Sequence, residues 1–240
     1  MLFEGTPFQL DRIMLIRILM AAVVSIFFVL AVRKAKLVPR GAQNLAEIAV
    51  DFVRVNIAED IIGKKEAHRF LPVVATIFFL TLFMNLPSVI PFLNISPNAR
   101  IGMPLVMALI AYVVFIYAGA KKYGFFSFIG KSIVVPNLPP ALHLLVVPIE
   151  FVSTFILRPA TLTIRLMANM LAGHIMLVLL FSATSFFFFQ FNGWSALSLV
   201  TIVVGVAFTF FELLVIFLQA YIFALLTCVY IELSLHADSH

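Results

Sequence analysis

The chain has 240 residues, 63% of them hydrophobic and 11% charged, with 27 phenylalanines and a mean hydropathy of +1.15. Soluble domains carry about 25% charged residues, so this composition excludes a water-soluble globular enzyme and describes a polytopic integral membrane protein. The formal net charge of +5 invites a nucleic-acid reading, but twelve of the sixteen Lys and Arg residues lie between apolar runs, which is a topology signal and not a polyanion site.

The first apolar run, 13–32, starts next to Arg12 and contains Arg17, and Arg33-Lys34-Ala35-Lys36 follows it without a small-x-small cleavage site. It therefore reads as a retained anchor and not as a signal peptide. In 43–62, Leu45, Ile48, Phe52, Val55 and Ile62 recur at helical spacing, with Asn44, Glu47, Asp51, Arg54 and Glu59 on the other side. That pattern predicts an amphipathic helix at the membrane interface. Two more spans, 70–86 and 104–120, are separated by turns around Pro87, Pro91, Pro97 and Pro104. A second set of turns, at Pro136, Pro139 and Pro140, precedes the last two apolar stretches, 144–182 and 197–235. Both greatly exceed the roughly 20 residues a crossing needs. The predicted fold is an all-α polytopic membrane protein, one integral membrane domain over 1–240, with five passes plus one interfacial amphipathic helix and no internal repeat.

Eight basic residues (Arg33, Lys34, Lys36, Arg40, Arg54, Lys64, Lys65, Arg69) fall between the first and second spans, and Lys121, Lys122 and Lys131 between the third and fourth. Only Arg100 lies between the second and third, and 183–196 has none. The positive-inside rule then puts the N-terminus outside and the C-terminus in the cytoplasm.

Catalytic signatures are absent or fail on spacing. Gly124 and Gly130-Lys131-Ser132 imitate a phosphate loop, but five residues separate the glycines where four are required and no strand precedes them, so no nucleotide site is expected. There is no His-Glu-x-x-His and no Gly-x-Ser-x-Gly. Asn94-Ile95-Ser96 matches a glycosylation acceptor but is followed by Pro97, and Cys228 is the sole cysteine, so no intrachain disulfide is available.

The remaining chemistry lies in the last two spans, where Glu150, Arg158, Arg165, Asn169, His174, Glu212, Gln219 and Glu232 interrupt apolar sequence. Arg165 is the most expensive: a central membrane Arg costs roughly 3 kcal/mol on insertion scales and more in simulations. At about 100° per residue, Thr161, Arg165, Ala168, Asn169 and Ala172 share one small and polar face, which lets another helix approach the guanidinium. His174 is about 13 Å further along and turned about 180° away. On the last span Glu212, Gln219 and Tyr230 stay within about 20° of one stripe. If the two helices run antiparallel with Gln219 level with Arg165, Glu212 comes level with His174, about 10 Å outward, and an acid and an imidazole meet there. Glu150 and Glu232 lie about 20 Å in the other direction. Titratable groups thus stand on both sides of a permanently protonated Arg, a layout suited to two aqueous half-channels that a proton cannot cross directly.

The run from Arg158-Pro159 to His174, with Met84-Asn85-Leu86 upstream and Gln219-Ala220-Tyr221-Ile222-Phe223 downstream, resembles the a subunits of F-type ATP synthases, of the bacterial type. The likeness covers nearly the whole chain, and Arg-Leu-x-x-Asn-x-x-Ala-Gly followed some fifty residues later by Gln-Ala-x-Ile-Phe is a compound pattern. The resemblance implies a non-catalytic stator subunit of a rotary complex in the plasma membrane, with c-ring subunits and a peripheral-stalk b-type subunit as partners, protons as cargo and no cofactor. It further implies that Arg165 faces the c-ring carboxylate beside Gln219, that Asn169 lies by the proton path, and that the last two helices form a tilted antiparallel hairpin along the ring. Many bacterial relatives carry a carboxylate where His174 stands and a His where Glu212 stands; the exchanged pair here is more like mitochondrial members. Ser88 stands where some relatives have an acid. Two other classes of reading are a membrane enzyme using His143, Glu150 and His174, and a purely structural anchor.

Overall fold

The computed structural model describes residues 11–33, 41–90, 93, 96–133, 140–189 and 195–236, and every regular element among them is helical. In chain order these are α1 (Arg12–Val32), α2 (Ala42–Val53), a π-helical turn (Arg54–Glu59), α3 (Asp60–Ile62), α4 (Lys64–Asn85), α5 (Gly102–Tyr123), α6 (Phe125–Ile133), α7 (Pro140–Val152), a second π-helical turn (Ser153–Leu157), α8 (Arg158–Phe188) and α9 (Ala196–Leu235). Five stretches are long and apolar enough to cross a membrane: Arg12–Ala31, Lys64–Ser88, Gly102–Tyr123, Leu145–Phe188 and Ala196–Leu235. The expected turns at Pro91, Pro136 and Pro139, the Asn94-Ile95 part of the discounted glycosylation match and the Lys34-Ala35-Lys36 part of the cluster that follows the first span lie outside the described residues.

Helix starts and stops follow local chemistry. α4 begins six residues before its apolar run because Gly63 turns the chain at φ 81°, a left-handed conformation that a Cβ disfavours, and Lys64 to Arg69 then continue as helix. Gly124 does the same at φ 83° between α5 and α6. The Gly130-Lys131-Ser132 triplet lies inside α6, so the phosphate-loop imitation is helical surface. The second π turn has a clear cause. Pro159 has no N–H to give to the turn before it and its ring crowds the carbonyl four residues back, so the preceding segment widens instead of breaking.

The helices pack round α9. Val53, Ile57, Ala58 and Ile62 lie with Ala67, Phe70, Val74 and Phe78 of α4 and with Ala220, Ala224, Cys228 and Ile231 of α9 in one buried cluster. A second cluster joins Ile77, Met107, Ala108 and Ala111 to Leu162 and Leu166 of α8 and Phe223 of α9. Lipid is as apolar as these side chains, so close approach and hydrogen bonds matter more than burial itself. At Gly119 a Cβ would run into the Phe128 ring and Ser234 Oγ, and Ser234 Oγ donates to the Phe115 carbonyl at 2.8 Å. Lys122 and Tyr123 both donate to the Leu235 carbonyl, which holds the C-terminal end of α9 at the same end of the bundle as the Lys121-Lys122 pair. This is called the basic end below. At the opposite end Asn98 Nδ2 donates to Asn85 Oδ1 at 2.6 Å, and Arg17 donates to the Pro97 carbonyl at 3.2 Å.

The amphipathic segment differs in detail from its sequence pattern. Its buried side is Ala46, Val53, Ile57, Ala58 and Ile62, while Leu45, Ile48 and Val55 are exposed. Leu45 and Ile48 precede the first π turn and face outward, as an apolar stripe laid on a membrane interface does, while the turn shifts the helical phase of the residues beyond Arg54–Glu59. Phe52 reaches the rings of Phe78 and Phe217 at 6.0 and 5.8 Å.

Candidate functional site

α8 and α9 run antiparallel with one register along their length. Thr184 Oγ1 donates to Thr201 Oγ1 at 2.9 Å, a Cβ on Gly205 would meet the Phe181 ring at 3.5 Å, and a Cβ on Gly173 would collide with the carboxylate of Glu212. Carried onward, this register puts Gln219 opposite Leu166, one residue from Arg165, and further along the Arg158 guanidinium lies over the Tyr230 ring at 5.4 Å. Leu162, Leu166, Met170, Gly173 and Leu177 form the stripe of α8 that the bundle buries.

Arg165 is on the other side. It is exposed, as are Thr161, Ala168 and Ala172 on its face, with Asn169 half-buried, and the side chains round about, such as Ile164, Leu171 and Ile175, are large, apolar and open. Among the described residues Arg165 has no ion pair or hydrogen-bond partner. The small face around it is thus a surface that no described residue covers.

Towards the opposite end, Glu212 is 2% exposed and, among the described residues, its Oε1 has no hydrogen-bond partner. The carboxylate lies directly on Gly173, where any side chain would displace it. His174 is half-buried, its Nδ1 is also unpartnered, and it lines an open groove of about 740 Å³ with Ile175, Val178 and Ser182. Glu212 and His174 are level, as the antiparallel spacing required, but they do not bond to each other. The reason is Gly173: its missing side chain makes the seat for the acid, and the next residue points about 100° away round the helix. Gln219, 6% exposed, has an unpartnered Nε2. Buried polar atoms without partners are uncommon in folded proteins and mark places for water or a visiting group.

At the basic end the groups are engaged. Thr154 Oγ1 donates to Glu150 Oε1 at 3.1 Å, and the same oxygen is 3.9 Å from Arg158 Nη2. Arg158 packs over Phe115 at 5.7 Å as well as over Tyr230. Glu232 Oε1 is 2.7 Å from His236 Nδ1, one helical turn on, while its Oε2 is buried and unpartnered.

The structure therefore places Arg165 and Asn169 on an open face, and His174, Glu212 and Gln219 along or beside the seam. Glu150, Tyr230 and Glu232 lie at the basic end. The sequence pattern singles out Arg158 as a charge in an apolar span but assigns it no role, and it does not point to Thr154 or to Gly173 as the seat of Glu212. Gly173 sits between two small or polar residues at the level of Glu212, which is a readable signal; the Glu150–Thr154–Arg158 alignment depends on a π turn, which periodicity alone cannot show. His143 lies in α7, and among the described residues no three His, Cys, Asp or Glu side chains come close enough to hold a metal ion.

The family model for the ATP synthase A chain matches residues 14–232. The chain is 66% identical over its whole length to the ATP synthase subunit a of Rhodococcus erythropolis, covering 87% of that protein. It is 40% identical over 96% of its length to the subunit a of Frankia alni, covering 79% of it, and 39% identical over 98% of its length to that of Pseudarthrobacter chlorophenolicus, covering 89%.

Proposed function

Because the chain belongs to the ATP synthase A chain family, we propose that it forms the proton path of the stator, with two offset half-channels kept apart by Arg165. The observation that carries this reading is a contrast along one hairpin: Arg165 stands exposed and unpaired among the described residues, and polar atoms without partners line the seam on either side of its level.

A proton taken up from outside passes His174 and Glu212 and neutralises a carboxylate on a c-ring subunit docked on the Thr161–Arg165–Ala168–Asn169–Ala172 face. The small residues there let the ring's helix approach, and Asn169 offers a neutral hydrogen-bonding group beside the charge. The ring then turns until that carboxylate reaches Arg165 from the other side. A guanidinium stays protonated at every physiological pH, so it favours the ionised carboxylate and forces the proton off. Gln219, opposite Leu166, supplies a second hydrogen-bonding group at that level. The released proton leaves by Glu150, Tyr230 and Glu232 to the cytoplasm, where the basic loops lie. The b-type peripheral stalk holds the subunit against rotation, and the chain performs no ATP chemistry and binds no nucleotide. One charge falling through 100 mV yields about 2.3 kcal/mol, so several transfers must accumulate for each chemical event elsewhere in the complex.

The test is Arg165→Ala in the whole complex reconstituted into vesicles. Proton-driven ATP synthesis should fall to background while assembly of the complex persists; synthesis at the unmodified rate would remove Arg165 from the mechanism.

A further inference from the structure

Arg158 has no part in the scheme above, yet it is the most connected charge of the hairpin. It is buried to 22% exposure, lies within 3.9 Å of Glu150 and packs over the faces of Tyr230 and Phe115. With Tyr112, Phe115, Thr154 and Tyr230 it encloses a cavity of only about 10 Å³, so the side chain is closely packed. Such a charge at membrane depth is expensive unless it pairs or serves a path.

The backbone is shaped to make this pairing. Eight residues of regular α-helix would leave Glu150 and Arg158 about 80° apart round the axis. The π turn Ser153–Leu157 closes its hydrogen bonds one residue later and rotates the chain less per residue, which brings Glu150, Thr154 and Arg158 into line. Pro159 holds the widened turn in place by denying it the regular hydrogen bond.

We infer that Arg158 is a positioning residue of the cytoplasmic half-channel: seated over Tyr230 and Phe115, it holds the Glu150 carboxylate, together with Thr154, at the end of the path down from Arg165. This rests on the half-channel reading. Arg158 does not meet the ring carboxylate; it acts through Glu150, by orienting the oxygen that next takes the proton.

The whole complex carrying Arg158→Gln, reconstituted into vesicles, tests this in both directions. In ATP-driven pumping, where protons enter from the cytoplasmic side, the proton concentration for half-maximal rate on that side should change about fivefold, the scale of losing one partly exposed charge pair. In ATP synthesis the maximal rate should fall by a similar factor, with no change in the half-saturating proton concentration on the outer side. Arg158→Lys should restore at least half of the rate. On a Glu150→Gln background, Arg158→Gln should add nothing, because the two act as a unit. Equal losses on both sides, no rescue by Lys, additive effects with Glu150→Gln, or wild-type behaviour of Arg158→Gln would each overturn the inference. Arg165→Ala, measured alongside, separates the two levels: if it is inactive while Arg158→Gln is normal, only the positioning role fails, and if it is active, the half-channel reading itself fails.

Discussion

At one end of the α8–α9 seam Glu212 rests on Gly173 and His174 turns to an open groove, and neither Glu212 Oε1 nor His174 Nδ1 has a hydrogen-bond partner. At the other end Glu150 is held by Thr154 and Arg158, and Glu232 by His236. Among the described residues, similar groups are left without partners in one half and, Glu232 Oε2 aside, engaged in the other. A carboxylate with free lone pairs must find water or a proton donor to offset its desolvation, whereas one already held by a hydrogen bond or an ion pair resists change. The two ends should therefore respond differently to substitution.

The largest effect belongs to the unpartnered half. Glu212→Gln keeps the shape and the seat on Gly173 but removes the titration, and should slow proton uptake from the outer side by roughly 100-fold, the usual scale for a lost acid–base group; stopped-flow acidification of reconstituted vesicles measures it, and an unchanged rate would place the path elsewhere. Next comes Gly173→Ala. The new Cβ displaces the Glu212 carboxylate, so uptake should drop about tenfold, in line with the cost of small misplacements. Ala is the better helix former by about 1 kcal/mol, so the thermal stability of the purified complex should hold or rise while activity falls. Parallel losses of both would show that Gly173 serves packing alone.

The engaged half should be more tolerant. Tyr230→Phe retains the ring beneath Arg158 and should cost no more than about threefold in synthesis rate, while Tyr230→Leu, which also removes the cation–π contact, should cost more. Identical effects of the two would mean that the ring does not hold Arg158. Glu232→Gln should be mildest, since its partner His236 is more than half exposed and such pairs contribute about 1 kcal/mol or less and are screened by salt; raising the salt in the assay should narrow the difference from the unmodified complex.

Much of this arrangement can be read in the sequence, for identifiable reasons. Long apolar runs broken by basic loops define the crossings, and antiparallel spacing alone brings Glu212 level with His174. The 3.6-residue period also assigns Arg165, Ala168 and Ala172 to one face, and that face is exposed in the structure. Legibility stops where helical phase changes. The two π turns, Arg54–Glu59 and Ser153–Leu157, shift every residue beyond them, so the facing of Ile57 to Ile62 and the Glu150–Thr154–Arg158 line escape a periodic reading. Gly173 was hidden differently: a small residue in a membrane helix usually signals close helix packing, and only the position of the Glu212 carboxylate reveals that the space is occupied by an acid.

The central claim is that Arg165 divides two paths opening to opposite sides, so the most direct measurement compares sidedness in one preparation. Vesicles containing the whole complex with Glu212→Gln, or with Glu150→Gln, are assayed for proton uptake from each face. Glu212→Gln should slow uptake from the outer face only, and Glu150→Gln from the cytoplasmic face only. Equal slowing from both faces by either substitution would contradict separate half-channels.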